Sequence, residues 1–190
     1  MKINNLILFF IGMGIWACES PTPYEKVVQE ELATGIRNDS LFFDFYFGMP
    51  SADFFAFCWE KNKSGEFTSG GGNTMVQTEI QGLPYRANMQ FYPLFKDDKI
   101  QSMTLNFNYV AWSPWHQHLS AEALLEDVRV LFEVWYGGTF FEVKSIGWGK
   151  TYVMVQGNRR VVIYYQQENR VDALISDLTN EDDLLNTEHF

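Results

Sequence analysis

The sequence contains few of the residues on which disulfide-rich folds and metal sites depend. It has 2 cysteines and 3 histidines in 190 residues. Small disulfide-stapled domains carry several cysteine pairs, and a stable zinc site usually has three or four protein ligands. The sequence also has no Gly-x-Ser-x-Gly nucleophile motif and no His-Glu-x-x-His zinc motif, and no Gly-Lys-Ser/Thr follows its glycine-rich stretch at 69–73 as a phosphate loop requires. We therefore expect neither enzyme activity nor a metal or other cofactor.

Positive charge is scarce as well. Lys and Arg number 14 against 24 Asp and Glu, which gives a net charge of −10 at pH 7. Proteins that bind nucleic acid cluster Lys and Arg on one face, and electrostatic adhesion to anionic lipid also needs basic residues. The charge balance therefore excludes nucleic acid as a partner and argues against membrane binding through charge alone.

The N-terminal apolar run is too short to cross a membrane. It covers residues 6–16, about half of the roughly 20 residues that a spanning helix needs. Lys2 precedes the run, and the small residue Ala17 follows it. This order is typical of a secretory signal that is cleaved after export, so we predict that residues 1–17 are a signal peptide.

The four residues Ile15-Trp16-Ala17-Cys18 resemble the lipobox of bacterial lipoproteins, with Trp16 where a small residue is usual. The resemblance implies that Cys18 is acylated and becomes the first residue of the mature chain. The protein would then be held in the cell envelope by an N-terminal lipid, in a leaflet that the sequence does not specify. The alternative is an ordinary secretory signal with a chance cysteine. If Cys18 carries lipid, Cys58 has no intrachain disulfide partner, and we expect it to be a buried, unreactive thiol.

Residues 18–40 are predicted to form the linker to the anchor and one short helix. Thr22 suits the N-cap, Pro23 the first helical position and Glu25 the capping box. Gly35 suits the C-terminal end. The helix either packs on the domain or acts as a mobile stalk.

Residues 41–111 and 112–190 are predicted to form two similar α+β units. The helix of the first unit is predicted from its N-cap Ser51 to about Asn62, and that of the second begins at its N-cap Ser120, 69 residues later. Residues 63–74 are expected to be a loop. Alternating apolar residues predict strands in both units: 41–47, 75–81, 85–95 and 99–110, then 139–146, 150–156, 159–166 and 170–178.

Each predicted helix has one apolar stripe, and the strands have one apolar face. An antiparallel sheet with the helices packed on one face satisfies both patterns. The other face of the sheet would be partly solvated, unless a partner covers it. The repeated order of helix and strands indicates either an internal duplication or a coincidental match.

Residues 47–55 read Phe-Gly-Met-Pro-Ser-Ala-Asp-Phe-Phe. They resemble the Gly-Met-Ser-x-x-(Glu/Asp)-hydrophobic opening of the SmpA/OmlA-type outer-membrane assembly lipoproteins. Tandem versions of such domains look like the beta-lactamase-inhibitor-protein fold, which lays helices on one side of an antiparallel sheet. The resemblance implies a non-catalytic module that binds other proteins. In the second unit, residues 112–115 replace the Gly-Met opening.

The candidate binding residues lie just before the second helix. Trp112 and Trp115 flank Ser113-Pro114, and His116 and His118 follow. Rigid aromatic rings in a loop often form contact surfaces, although they can equally pack the loop onto the helix. The two histidines can share a metal ion or belong to a polar loop.

Three functions follow from these observations. We favour a non-catalytic protein-binding or assembly module, anchored to the membrane by lipid and facing an envelope protein partner. The alternative is a carrier of a small ligand or lipid, with the aromatic sheet face as a cavity wall. An envelope enzyme that uses His116, His118 and Glu122 has the least support.

Overall fold

The computed structural model describes residues 21–145 and 148–180. The predicted signal peptide, Cys18 and the last ten residues lie outside these ranges. The described residues form three α-helices, which are α1 (Pro23–Ala33), α2 (Ser51–Lys63) and α3 (Ala121–Tyr136). They also form eight β-strands: β1 (Thr68–Gly70), β2 (Met75–Ile80), β3 (Ala87–Lys96), β4 (Lys99–Tyr109), β5 (Phe141–Val143), β6 (Thr151–Gln156), β7 (Arg159–Gln167) and β8 (Arg170–Asp177).

All eight of these strands belong to one antiparallel sheet, in the order β1-β2-β3-β4-β8-β7-β6-β5. The order is symmetric about the pair formed by β4 and β8, which are the last strands of the two predicted units. We call this pair the β4–β8 joint; its register runs from Ser102 opposite Ser176 to Phe107 opposite Val171. The predicted α+β fold, with helices packed on an antiparallel sheet, is confirmed.

The main core lies between one face of the sheet and the helices α2 and α3. The predicted alternation of β4 is observed, because Met103, Leu105, Phe107 and Tyr109 are all buried there. The apolar stripe of α3 faces them, and Phe132 meets Phe107 edge to face at 5.9 Å. Burial of each large apolar side chain contributes roughly 1.5–3 kcal/mol, so this layer is the main source of stability.

Helix α1 packs on the opposite face of the sheet. Its capping box is formed, since the Thr22 backbone N donates to Glu25 Oε2 at 2.6 Å and the Glu25 backbone N donates to Thr22 Oγ1 at 3.2 Å. Tyr24 and Val28 of α1 form a second, smaller core with apolar residues of β6 and β7, namely Val153, Val155 and Val162. Of the two alternatives considered for this helix, packing on the domain and a mobile stalk, the first is therefore the one observed.

The predicted strand at 41–47 is wrong. Ser40 and Tyr46 form an isolated bridge around a tight turn in which Phe43 and Asp44 have positive φ. A strand would bury only alternate side chains, whereas this turn places the neighbours Leu41 and Phe42 in the core together with Phe45 and Phe47. Burial of these rings outweighs the cost of two left-handed residues.

Three smaller predictions also need correction. Pro50 rather than Ser51 is the N-cap of α2, because the Ser51 hydroxyl instead donates to Asp98 Oδ1 at 2.5 Å in the β3–β4 turn. The predicted loop 63–74 contains β1 and a short 3₁₀ turn. Of the predicted strand at 139–146, the described residues 139–145 contain the three-residue strand β5.

Candidate functional site

The predicted binding loop is folded, but it does not bring its two tryptophans together. Trp115 is 77% exposed, whereas Trp112 is partly buried against the main core. The rings of His116 and His118 lie 5.6 Å apart, and the His118 ring lies 5.4 Å from that of Tyr85. Trp112 therefore packs the loop onto the core, and Trp115 faces solvent; a binding role for the loop stays a prediction.

A shallow cavity of about 230 Å³ lies beside this loop, and His116 and Glu122 both line it. His116 Nδ1 is 3.3 Å from the carbonyl oxygen of Ala111. Within the described ranges, no group of three His, Cys, Asp or Glu side chains is placed to hold a metal ion. The loop therefore offers a small surface for contact.

A larger groove lies at the β1 end of the sheet. Strand β1 pairs only with the first half of β2, from Gly70 opposite Met75 to Thr68 opposite Gln77. Farther along β2, residues 78–80 pair with β3 on their inner side. In the described part of the chain, no strand or bridge pairs with their outer side. An edge of this kind presents unpaired N–H and C=O groups that can pair with another chain.

The groove beside this edge has a volume of about 860 Å³ and an aromatic floor. Phe42 stacks on Trp135 of α3 with ring centroids 6.0 Å apart, and Phe43 contacts Phe67 at 5.3 Å. Phe42 and Phe43 both belong to the turn found in place of the predicted strand at 41–47. The apolar lining residues are Leu41, Phe42, Phe43, Phe67, Ile80 and Trp135.

Two ionised carboxylates lie on the rim of the groove. Glu66 accepts from Lys61 Nζ at 2.8 Å, and Glu79 accepts from Arg86 Nη2 at 2.6 Å. The hydrogen bond from Lys61 lowers the pKa of Glu66, and the hydrogen bonds from Arg86 lower the pKa of Glu79. Both carboxyl groups are therefore charged at neutral pH, next to an apolar floor.

Few sequence features indicate this groove. The many apolar residues of 41–47 predict a strand, not a turn that lines a groove. Phe67 lies in the predicted loop, and the open edge results from the unequal lengths of β1 and β2. A strand of three residues beside one of six leaves half of the longer strand uncovered.

A cluster of charged residues links α3 to β6. Helix α3 also carries Trp135 of the groove. Glu126 accepts hydrogen bonds from Lys150 Nζ at 2.7 Å, Tyr152 Oη at 2.8 Å and Arg129 Nε at 3.0 Å. Burial raises the pKa of Glu126, but these three donors outweigh it and lower the pKa to about 2. The cluster is exposed on one side and contacts neither cavity, so we assign it a structural role.

The second cysteine of the sequence lies on α2. Cys58 is partly buried, and burial raises the pKa of its thiol to about 12. A nucleophilic cysteine needs a lowered pKa, usually from a neighbouring cation. The Cys58 thiol is therefore protonated at neutral pH and packs against the core.

Comparisons with known proteins give no relative. No protein-family model matches the chain, and no curated protein or solved structure matches it significantly. Among the helices of the described residues, none is both long and apolar enough to span a membrane.

Proposed function

We propose that this chain is a lipid-anchored protein of the cell envelope that binds an extended segment of a partner protein in the groove beside β2. The observation that carries the proposal is the open outer edge of residues 78–80 above an aromatic floor. Strand addition to a free edge is a common way to bind peptides, because backbone hydrogen bonds supply affinity and alternate side chains enter pockets.

The dimensions suit a short segment. At roughly 3.3 Å per residue, the open part of β2 spans about 10 Å, which pairs with three or four partner residues. Alternate side chains of an added strand would point toward Phe43 and Phe67 on the floor. The groove volume of about 860 Å³ can hold two such side chains together with the backbone that joins them.

The net charge of the chain specifies the partner further. Glu66 and Glu79 at the groove are each paired with a cation, Lys61 or Arg86, but the whole chain carries a net charge of −10. An acidic surface accelerates the approach of basic partners. The segment that fits best therefore alternates large apolar residues with polar ones and has Lys or Arg at its ends.

The predicted anchor would keep this groove near the membrane. If Cys18 carries the lipid, only four residues separate it from Pro23, where the docked helix α1 begins. At about 3.5 Å for each of the five steps from Cys18 to Pro23, that linker reaches about 17 Å. Such a short tether raises the effective concentration of the groove toward envelope partners.

The carrier alternative has less support. A lipid carrier needs an enclosed apolar cavity, and the space between the sheet and α3 is filled by fully buried side chains such as Phe107 and Phe132. The groove beside β2 is bordered by charged residues, which suits a peptide better than an acyl chain.

A peptide-binding assay tests the proposal. Fluorescent seven-residue peptides that alternate Phe or Leu with Thr, with Lys at both ends, are titrated with the full chain in mild detergent. We expect binding that is lost when alternate backbone nitrogens of the peptide are methylated and that weakens when Asp replaces Lys. Equal binding of methylated and unmethylated peptides would contradict strand addition, and no binding at about 1 mM would contradict the proposal.

Two matched variants assign the binding to the groove. Phe43 and Tyr46 are both exposed aromatic residues of the same turn, but only Phe43 lines the groove. Phe43→Ala should weaken peptide binding at least about fivefold, since one aromatic contact is worth about 1 kcal/mol. Tyr46→Ala should leave it unchanged, and a loss that is equal in both variants would place the peptide elsewhere.

A further inference from the structure

A second cleft lies on the opposite face of the sheet, next to α1. Its volume is about 350 Å³, and it lies mainly over β4, β7 and β8. That volume is at the lower end of the range for small-molecule sites, and it is too small for a folded partner. The polar residues that line it are Thr104, Asn106, Arg160, Arg170 and Asp172.

Arg160 is the unusual member of this cleft, because it is a buried cation without an anion. Its side chain is 1% exposed. Nε donates to Ser176 Oγ at 3.1 Å, and Nη1 donates to Tyr24 Oη at 2.9 Å. Both acceptors are neutral hydroxyls. Among the residues that the structure describes, no carboxylate pairs with Arg160 and no acceptor takes a hydrogen bond from Nη2.

A buried guanidinium with no negative partner is costly, because desolvation of the charge is offset only by hydrogen bonds to neutral groups. The two existing bonds also fix the orientation of the planar group. The Nη1 and Nη2 atoms together form an edge with donors for two acceptors, which matches the two oxygens of a carboxylate. Arg160 is therefore positioned to receive an anion that the described residues do not supply.

The other polar groups that line the cleft add no net charge to it. Asn106 Nδ2 donates only to the Met75 sulfur at 3.4 Å, which is a weak acceptor. Arg170 pairs with Asp172 at 3.0 Å, so these two charges balance each other. The uncompensated charge of the cleft is then the single positive charge of Arg160, which suits a monoanion better than a phosphate dianion.

An aromatic pair forms one wall of the cleft. The rings of Trp148 and Tyr164 stack at 3.9 Å with an angle of 4° between their planes. Both residues line the cleft together with apolar residues such as Val162 and Leu174. A ligand that places its charge on Arg160 would thus place an apolar or aromatic body against this wall.

We propose that this cleft is a binding site for a small organic monocarboxylate, with its carboxylate on Arg160 and a compact apolar or aromatic body against Tyr164. The site is separate from the groove beside β2, since it lies on the other face of the sheet and shares no lining residue with it. Tyr24 of α1 touches Arg160, so the ligand would also stabilise the docking of the helix that follows the predicted anchor.

Ligand-observed NMR on the full chain in mild detergent tests the site, with benzoate as the probe and benzamide as its neutral analogue. Benzoate should bind at least tenfold more tightly than benzamide, because only the carboxylate neutralises Arg160. Equal binding of the two probes, or no benzoate binding at 10 mM, overturns the proposal. Competition by equimolar inorganic phosphate or sulfate as strong as that by benzoate also overturns it, since the cleft would then hold inorganic anions.

Neighbouring arginines provide matched variants. Arg159 and Arg160 are adjacent and both buried, but Arg159 stacks on Tyr136 at 3.8 Å, away from the cleft. Arg160→Gln should abolish benzoate binding, whereas Arg159→Gln should retain it within about twofold. If Arg160→Gln does not fold, Tyr164→Ala, which removes one ring of the aromatic wall, replaces it and should weaken benzoate binding about fivefold. Unchanged binding in the folded Arg160→Gln or Tyr164→Ala variant overturns the assignment.

Discussion

Substitution of Glu126 by Gln should destabilise the protein at neutral pH and have little effect in strong acid. In the folded state, the carboxylate accepts from Lys150, Tyr152 and Arg129 at 2.7–3.0 Å. The amide of Gln has almost the same shape, but it carries no charge and presents one acceptor fewer. The substitution therefore weakens the attachment of α3 to β6 and leaves the packing unchanged.

The magnitude follows from the lowered pKa of Glu126, which is about 2 against an ordinary value of 4.5. Taken at face value, a shift of this size corresponds to about 3 kcal/mol at 1.36 kcal/mol per unit. The side chain is 39% exposed, so solvent screening reduces the contribution, and we expect about 1 kcal/mol at pH 7.

The sign of the pH dependence is fixed by the direction of the shift. Because the folded-state pKa is below the unfolded-state value, the stabilisation is complete above about pH 5 and is lost as the pH falls from 4.5 to 2. Urea unfolding of the wild type and Glu126→Gln at pH 7, 4 and 2.5 measures the difference in free energy of unfolding. A difference that is the same at all three pH values would refute the assigned role of the carboxylate.

Three further predictions concern the core, the free thiol and the anchor. Phe132→Ala removes a fully buried ring between α3 and β4, and it should lower the free energy of unfolding, measured by urea titration, by about 3–5 kcal/mol. The control Val134→Ala lies on the same helix at a position that is 76% exposed. It should change the free energy of unfolding by less than about 0.5 kcal/mol. In a Cys18→Ser background, the Cys58 thiol should react with a disulfide reagent at pH 8 many times more slowly in the folded protein than in urea, since its folded-state pKa is about 12; equal rates would contradict this. Cys18→Ala should abolish incorporation of an alkyne-palmitate label and release the protein from the membrane fraction, and retained labelling would contradict acylation at this residue.

Local patterns predicted most of the helices and strands, because their signals are carried by neighbouring residues. The alternation of Met103 to Tyr109 reflects the two-residue period of a strand. The stripe of α3 and the left-handed Gly137 that ends it reflect the helical period and the C-cap preference of glycine. Asp97 and Asp98 lie in the turn between the predicted strands 85–95 and 99–110, and both have positive φ.

The segment 41–47 was mispredicted because its pattern suits two structures. Its apolar residues are dense enough for a strand, and no Gly or Pro separates them. The choice of a turn depends on Phe91 and Phe67, which meet Phe42 and Phe43 only after the chain has folded. Contacts of this kind between distant residues have no local signature.

Neither proposed site could be predicted from the sequence, because each depends on contacts between distant parts of the chain. The groove depends on where β1 ends relative to β2, and strand ends are poorly specified by sequence. In the cleft, Arg160 occupies a predicted strand in which arginine would ordinarily face solvent. Its burial results from Tyr24 on α1, which packs on a face of the sheet that the sequence had left open.

Helix α1 and the groove lie toward opposite ends of the sheet, and this placement determines how the protein would respond to a pulling force between them. Helix α1, next to the predicted anchor, contacts β6, whereas the groove lies at β2. Tension between the membrane and a bound partner would run across the sheet, from strand to strand, and would pass through the β4–β8 joint. Pulled in that direction, the joint would open like a zipper, one hydrogen-bonded pair after another, rather than shear all its pairs at once.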